Sequence, residues 1–251
     1  MHGAATTAAI WARVARLLPD LDVVAPERPC SGDLETELAW LADQVTPSAG
    51  PGRVTGLGRV TGLGRVTGPG RVPGPGSAVG PGSVTSPGSA PLVVGVGGGA
   101  TLGLALAARP PGAHGSTARA FLLHEPAIGS LAPQLLAPMA EAFATGGVPA
   151  FAARLYGPAW RPTMGPSDPT IVARDLAMFR GFEPAAPRGP GVVVVTVGAE
   201  SPPERHRAAE ALEAAHGLAP RVLSDVRHFV HHEQPAVWAA EIRRVLALTG
   251  G

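Results

Sequence analysis

The residues whose types and spacing could do chemistry centre on Leu92-Val93-Val94-Gly95-Val96-Gly97-Gly98-Gly99-Ala100-Thr101-Leu102-Gly103-Leu104-Ala105-Leu106-Ala107. A short apolar run, a glycine cluster and an Ala/Leu-rich stretch read as a strand, a tight turn and a helix. The order is that of Gly-x-Ser-x-Gly, the turn that lifts a serine above a sheet for attack at a carbonyl carbon. Gly97 stands at the serine position. Glycine has no side chain and cannot attack anything. It does adopt the strained, often positive-φ backbone of such a turn without steric cost, so the exchange leaves the turn possible while removing covalent chemistry. Thr101 lies a turn further into the helix, and Ser83, Ser86 and Ser89 lie in a Gly/Pro-rich stretch. None of them replaces the missing hydroxyl.

The same glycines permit a second chemistry. Gly95-Val96-Gly97-Gly98-Gly99-Ala100 matches Gly-x-Gly-x-x-Ala, in which a helix N-terminus, here at Gly99, cradles a dinucleotide pyrophosphate. Glu125, at the end of the next predicted strand, would then stand where an acidic residue holds a ribose. That fingerprint belongs near the start of its domain, and here it comes after residue 90. The other titratable groups at predicted strand ends are Glu200, in Gly198-Ala199-Glu200-Ser201-Pro202, and His228, in Val226-Arg227-His228-Phe229-Val230-His231-His232-Glu233-Gln234-Pro235. His231 and His232 have no carboxylate partner in the pattern, so they are not read as a metal site.

The elements that would position these groups alternate. Ala8 to Leu18 has helical spacing, closed by Pro19, and Asp22 to Pro26 reads as a short buried strand. Leu34 to Val45 is a helix with Leu38, Leu41 and Val45 on one side. Ala118 to Leu123 is a strand, and 130–183 is mostly helical. Gly191 to Val197 is a strand with a continuous apolar face, as in a parallel sheet covered on both sides. Pro203 to His216 is a helix, Pro220 to Leu223 a short strand, and Ala236 to Leu248 a closing helix. Strands alternating with helices predict a doubly wound α/β sheet.

Between Gly52 and Ala90 the chain repeats Gly-Arg-Val-Thr-Gly-Leu and decaying copies of it, with a period of six. Glycine does not recur every third position, so this is not a collagen helix. One Val or Leu per repeat cannot bury enough area to offset about 1–2 kcal/mol of backbone entropy per residue. Residues 50–90 are expected to be a disordered insertion.

The bulk properties narrow the classes. A hydrophobic fraction of 45% and a formal charge of +1 describe an ordinary globular chain, and no charge block points to nucleic acid or a membrane surface. All 20 cationic residues are arginine, spread along the chain, a bias expected of GC-rich coding. One cysteine, Cys30, excludes an intramolecular disulfide and multi-cysteine zinc patterns. Residues Met1 to Thr7 lack a basic and an apolar region, and no apolar run is long enough to span a bilayer, so a cytoplasmic protein is expected.

Several motifs then fall in one order: His2-Gly3 before the first helix, Arg28-Pro29-Cys30-Ser31-Gly32 after the next strand, Gly95-Val96-Gly97-Gly98-Gly99, a helical insert, and His228-Phe229 before Glu233-Gln234-Pro235 and a helix. This order resembles the α/β-hydrolase superfamily over residues 2–49 and 91–248. The resemblance implies a mostly parallel sheet flanked by helices with a helical cap. The core would be formed by 1–49, 91–129 and 191–251, interrupted by the 50–90 repeat and by a cap at 130–190. It also implies acyl transfer on a small apolar or ester-like substrate without a cofactor. His228 would be the general base and Gly97 the position of the lost nucleophile, with the backbone N–H groups of Gly98 and Ala4 as oxyanion donors. The acid falls equally on Glu200 or Glu125, since family members place it after either of two strands, and Ser201 occupies the usual aspartate slot. With glycine at 97 the expected protein is an impaired or inactive esterase relative, or a binder of small apolar ligands beneath the cap. The family also has strands before its His-Gly loop, one of them central in the sheet between those of Val23 and Val93. Their absence is expected to leave unpaired backbone groups at on the order of 1–3 kcal/mol each, so that either the start lies upstream or the gene is decaying.

Overall fold

The computed structural model describes residues 1–45, 90–110, 117–166 and 168–249. The repeat expected to be disordered therefore lies, up to residue 89, outside the described residues. Four parallel strands form one sheet in sequence order: β1 (Leu92–Val96), β2 (Ala120–His124), β3 (Val192–Gly198) and β4 (Arg221–Leu223). The helices are α1 (Ala12–Arg16, entered through a 3-10 turn at Ala8–Trp11), α2 (Leu34–Val45), α3 (Gly98–Ala107), α4 (Ala137–Tyr156), α5 (Pro169–Arg180), α6 (Pro203–His216), α7 (Val230–Glu233) and α8 (Pro235–Leu248). No helix among the described residues is long and apolar enough to cross a membrane.

Local chemistry sets the element ends. Asp33 accepts from the Thr36 N–H at 2.8 Å ahead of α2, and Asp168 from the Thr170 N–H at 2.8 Å ahead of Pro169 in α5; each supplies one of the acceptors that a helix start lacks. Gly217 ends α6 in the left-handed conformation, φ 70°, its N–H bonded to the Glu213 carbonyl at 2.7 Å. Gly95 is needed for another reason. A Cβ there would lie 2.5 Å from the Gly99 carbonyl oxygen, so only glycine lets α3 fold back so closely on β1.

β1, β2 and α3 make the buried centre, every residue of the two strands being buried. Two expectations fail here. Asp22–Pro26 is not a strand but irregular chain, and Val23 and Val24 lie beside Met1 and Val94 with no ladder between them. The Met1 amine, buried, donates to the Val94 carbonyl. β3 is covered only over its C-terminal half: Val192 is 43% exposed, so its apolar run reflects strand propensity more than two-sided burial. A short helix, α7, also precedes α8.

A buried charge cluster ties α2 to α5 through Arg28. Arg28 donates to Glu37 of α2 (Nε, 3.1 Å) and forks onto both oxygens of Asp175 of α5 (2.9 and 3.2 Å), with its guanidinium 5.5 Å from the Phe179 ring. All three charged groups are almost wholly buried. Asp175→Asn keeps the shape and loses the charge-assisted fork, which is worth about 2 kcal/mol. For a chain of this size the melting temperature should fall by roughly 4–8 °C. An unchanged melting curve would show the fork to be energetically idle.

Candidate active site

Parallel register brings the site residues together. Val96 pairs with His124 and His124 with Thr196, so the next residues along, Gly97, Glu125 and Val197, stand side by side at the carboxyl ends of their strands. The Gly97 N–H bonds to the His124 carbonyl (2.9 Å) and the Glu125 N–H to the Thr196 carbonyl (2.9 Å). Both residues then leave the sheet with positive φ, Gly97 at 56° and Glu125 at 48°. For Gly97 this is the sharp strand-to-helix turn expected. For Glu125 it is a strained conformation that a side chain adopts only when its surroundings impose it.

They do. Glu125 Oε1 accepts from the Gly198 N–H (2.9 Å) and from the Ser201 hydroxyl, and Oε2 accepts from His228 Nδ1 (2.9 Å). Arg205 of α6 donates from Nη1 to the Glu125 carbonyl (3.2 Å) and holds Nε 3.6 Å from Oε2. Burial opposes charge on Glu125, but His124, His228 and Arg205 outweigh it and hold the carboxyl below the usual carboxylate range. Ser201, after β3, donates to the glutamate that stands across from it.

His228 lies just before α7, its ring stacked against Tyr156 with centroids 5.8 Å apart. His124 steadies the approach: its Nε2 donates to the Arg227 carbonyl at 3.2 Å, leaving Nδ1 to accept the Thr196 hydroxyl at 2.9 Å. Because the Nδ1–H of His228 donates to Glu125, Nε2 carries the free lone pair. That atom is buried and has no partner among the described residues. It points at Gly97: a Cβ built on Gly97 would lie 2.9 Å from Nε2 and 3.0 Å from Cε1, and would meet nothing else within 4 Å.

Burial, then Arg205, pushes the His228 imidazole down to about 4, while Glu125 pulls the other way. It is therefore neutral at neutral pH. The sign for stability follows. Between its ordinary value of 6.5 and about 4, the unfolded chain binds a proton at this site that the folded chain does not. Its contribution, on the order of 3 kcal/mol, is whole above pH 6.5 and is lost as the pH falls toward 4. His124 and His231, buried and lowered as well, act in the same direction. Urea midpoints should fall steeply from pH 7 to pH 5, and less steeply in His228→Gln; equal slopes would contradict this.

Gly98 opens α3, so its N–H has no acceptor inside the helix. It lines one chamber with Ala4, Gly97 and His228. The Ala4 loop is held by its carbonyl, which accepts from the Tyr156 hydroxyl, and by Trp160 Nε1 donating to the Ala5 carbonyl at 3.0 Å. Phe179 lies so close over Gly98 that a Cβ there would come within 2.3 Å of the ring.

Of the residues expected at the site, the fold thus gathers Gly97, Gly98, Ala4, Glu125 and His228. It does not bring Glu200, which is exposed and pairs with Arg227 at 3.1 Å. Thr101 is no substitute nucleophile: its hydroxyl is buried, between the carbonyls of Gly97 (3.1 Å) and Ala127 (2.9 Å). Arg205 was missed, although its sequence carries a signal. It falls on the same stripe of α6 as Ala208, Ala209 and Leu212, where a charge is out of place unless paired.

A parallel sheet between helices, a strand-to-helix turn with positive φ at its apex, and a histidine–carboxylate pair over that apex define the α/β-hydrolase fold. Solved structures bear this out. The chain is similar to a lipase-esterase related protein from Clostridium acetobutylicum, with TM-score 0.64 and 13% identity, covering 98% of this chain and 92% of that one. It is similar to NosK from Streptomyces actuosus, with TM-score 0.54 and 16% identity, covering 100% of this chain and 97% of that one. No family model matches the sequence, and no curated protein does either.

Proposed function

We propose that this chain is an esterase-type α/β-hydrolase in which everything but the nucleophile is assembled, so that it binds small ester-like molecules without forming an acyl-enzyme. The observation that carries this reading is the bare His228 Nε2, 2.9 Å from where a side chain on Gly97 would begin, with Nδ1 held by Glu125. In this account His228 is the general base and Glu125 the acid that fixes its tautomer. The N–H groups of Gly98 and Ala4 receive the carbonyl oxygen as it gains charge. With a serine at position 97, its hydroxyl proton would pass to Nε2 as the oxygen attacks. The same proton would then go to the departing alcohol, and water would repeat the cycle to free the acid.

The dinucleotide reading has less support. The Glu125 carboxylate it needs for a ribose is buried and already occupied by His228, Gly198 and Ser201.

A fluorophosphonate probe tests the proposal. It should label Gly97→Ser at position 97 and leave the wild-type chain unlabelled. Labelling of a wild-type serine, or failure of folded Gly97→Ser to react, would count against it.

A further inference from the structure

The cleft around His228 has two unlike chambers. One, against Gly97 and Gly98, is walled by Leu136, Phe151, Leu176 and Phe179. The other, beyond His228, is lined by Leu135 and Met139 together with Arg154, Glu204 and Arg205. His228 and Arg205 border both. We propose that the second chamber is an anion subsite, and that the molecule the cleft takes is a small monoester bearing a free carboxylate. Its acyl carbonyl would sit at Gly98 and its carboxylate on Arg205 and Arg154.

Four observations carry the proposal. Arg205 is 7% exposed and lines both chambers, and its charge is shared with a Glu125 carboxylate that three other donors already hold, so a second anion in this largely water-shielded cleft is attracted more strongly than at the surface. The carboxylates of the neighbourhood are shared or committed elsewhere: Glu125, 3.6 Å from Arg205 Nε, also accepts from His228, Gly198 and Ser201, and Glu204 pairs with Arg207 at 3.1 Å. Arg154 is exposed and pairs with no carboxylate among the described residues, and its planar fork suits a carboxylate better than a point charge would. Finally, His228, whose unpartnered Nε2 faces Gly97, lines both chambers, so a molecule that spans them runs past its ring. Glu200 and Arg227 line an outer groove and neutralise each other.

The placement of the ester rests on the hydrolase reading; the anion subsite does not. Calorimetric titration of the wild-type chain with monomethyl adipate, an anion at pH 7.5, and with neutral dimethyl adipate separates the two. The monoester should bind at least about tenfold more tightly, and the preference should shrink as salt is raised. Arg154→Gln should reduce the preference several-fold. Arg205→Lys, which keeps the charge and loses the fork, should reduce it too. Equal affinity, tighter diester binding, no binding of either, or a preference untouched by Arg154→Gln would each overturn the subsite. Should Gly97→Ser hydrolyse neutral esters while the wild-type chain shows no anion preference, the subsite fails and the hydrolase reading stands. Anion preference without any hydrolysis by Gly97→Ser would leave the subsite standing and remove the hydrolase reading.

Discussion

Gly97→Ser is expected to convert a chain with no measurable short-chain ester turnover into one that hydrolyses such esters at least about 10³-fold faster. Removal of the nucleophile from an intact triad costs on the order of 10⁶ in kcat, the remainder coming from the oxyanion donors and binding. The expected gain is smaller than that loss for two visible reasons. A Cβ on residue 97 stands 2.9 Å from Nε2 and 3.0 Å from Cε1 of His228, so the ring must retreat by a few tenths of an ångström before it can accept a proton. A side chain at φ 56° also costs about 1–3 kcal/mol, so the active variant should melt lower than the inactive wild type. Activity gained with stability lost is the signature expected of this position. Adding Glu125→Gln should cut the new activity by about 10⁴, because the imidazole then loses its fixed tautomer. Adding Glu200→Gln should leave the activity nearly unchanged, since that carboxylate faces Arg227.

The largest expected loss of stability belongs to Glu125→Leu. The substitution leaves Arg205 buried without its counter-charge and strands the Gly198 N–H and the Ser201 hydroxyl. Breaking a buried ion pair from one side costs about 3–5 kcal/mol, whereas replacing both partners by apolar groups of similar size is often neutral. The melting temperature of Glu125→Leu should therefore fall by roughly 6–20 °C. Much of that should return when Arg205→Met is added. Additive losses in the double variant would mean that Glu125 stabilises the fold through Gly198 and Ser201 rather than through the charge of Arg205.

The strand, turn and helix around Gly97 were legible in the sequence because period and glycine placement are local signals. The helices at 34–45 and 203–216 were legible for the same reason, by the spacing of their apolar residues. His228 was legible by its place before the last helix, but its carboxylate partner was not. Glu125 and Glu200 both follow strands, and only the register of β2 against β3 puts one under the imidazole while the other faces solvent.

The buried charges were hidden in a systematic way. Glu37, Asp175, Arg205 and Glu241 each sit on the buried stripe of an otherwise amphipathic helix. A helical pattern says that such a residue faces inward; it cannot name the partner that makes this tolerable, because Arg28 meets Asp175 across most of the chain. Asp22–Pro26 failed as a strand for the same kind of reason. Its valines fit a strand, yet a strand needs a neighbour to exchange hydrogen bonds with, and Met1 stands between this segment and β1.

The most direct test of the central claim is a pre-steady-state trace of p-nitrophenyl acetate cleavage by Gly97→Ser beside the wild-type chain. An assembled site missing one side chain predicts a burst of nitrophenolate approaching one equivalent from the variant, with the acetyl group found on residue 97, and no burst from the wild type. A folded Gly97→Ser without a burst, or a wild-type burst of its own, would contradict it.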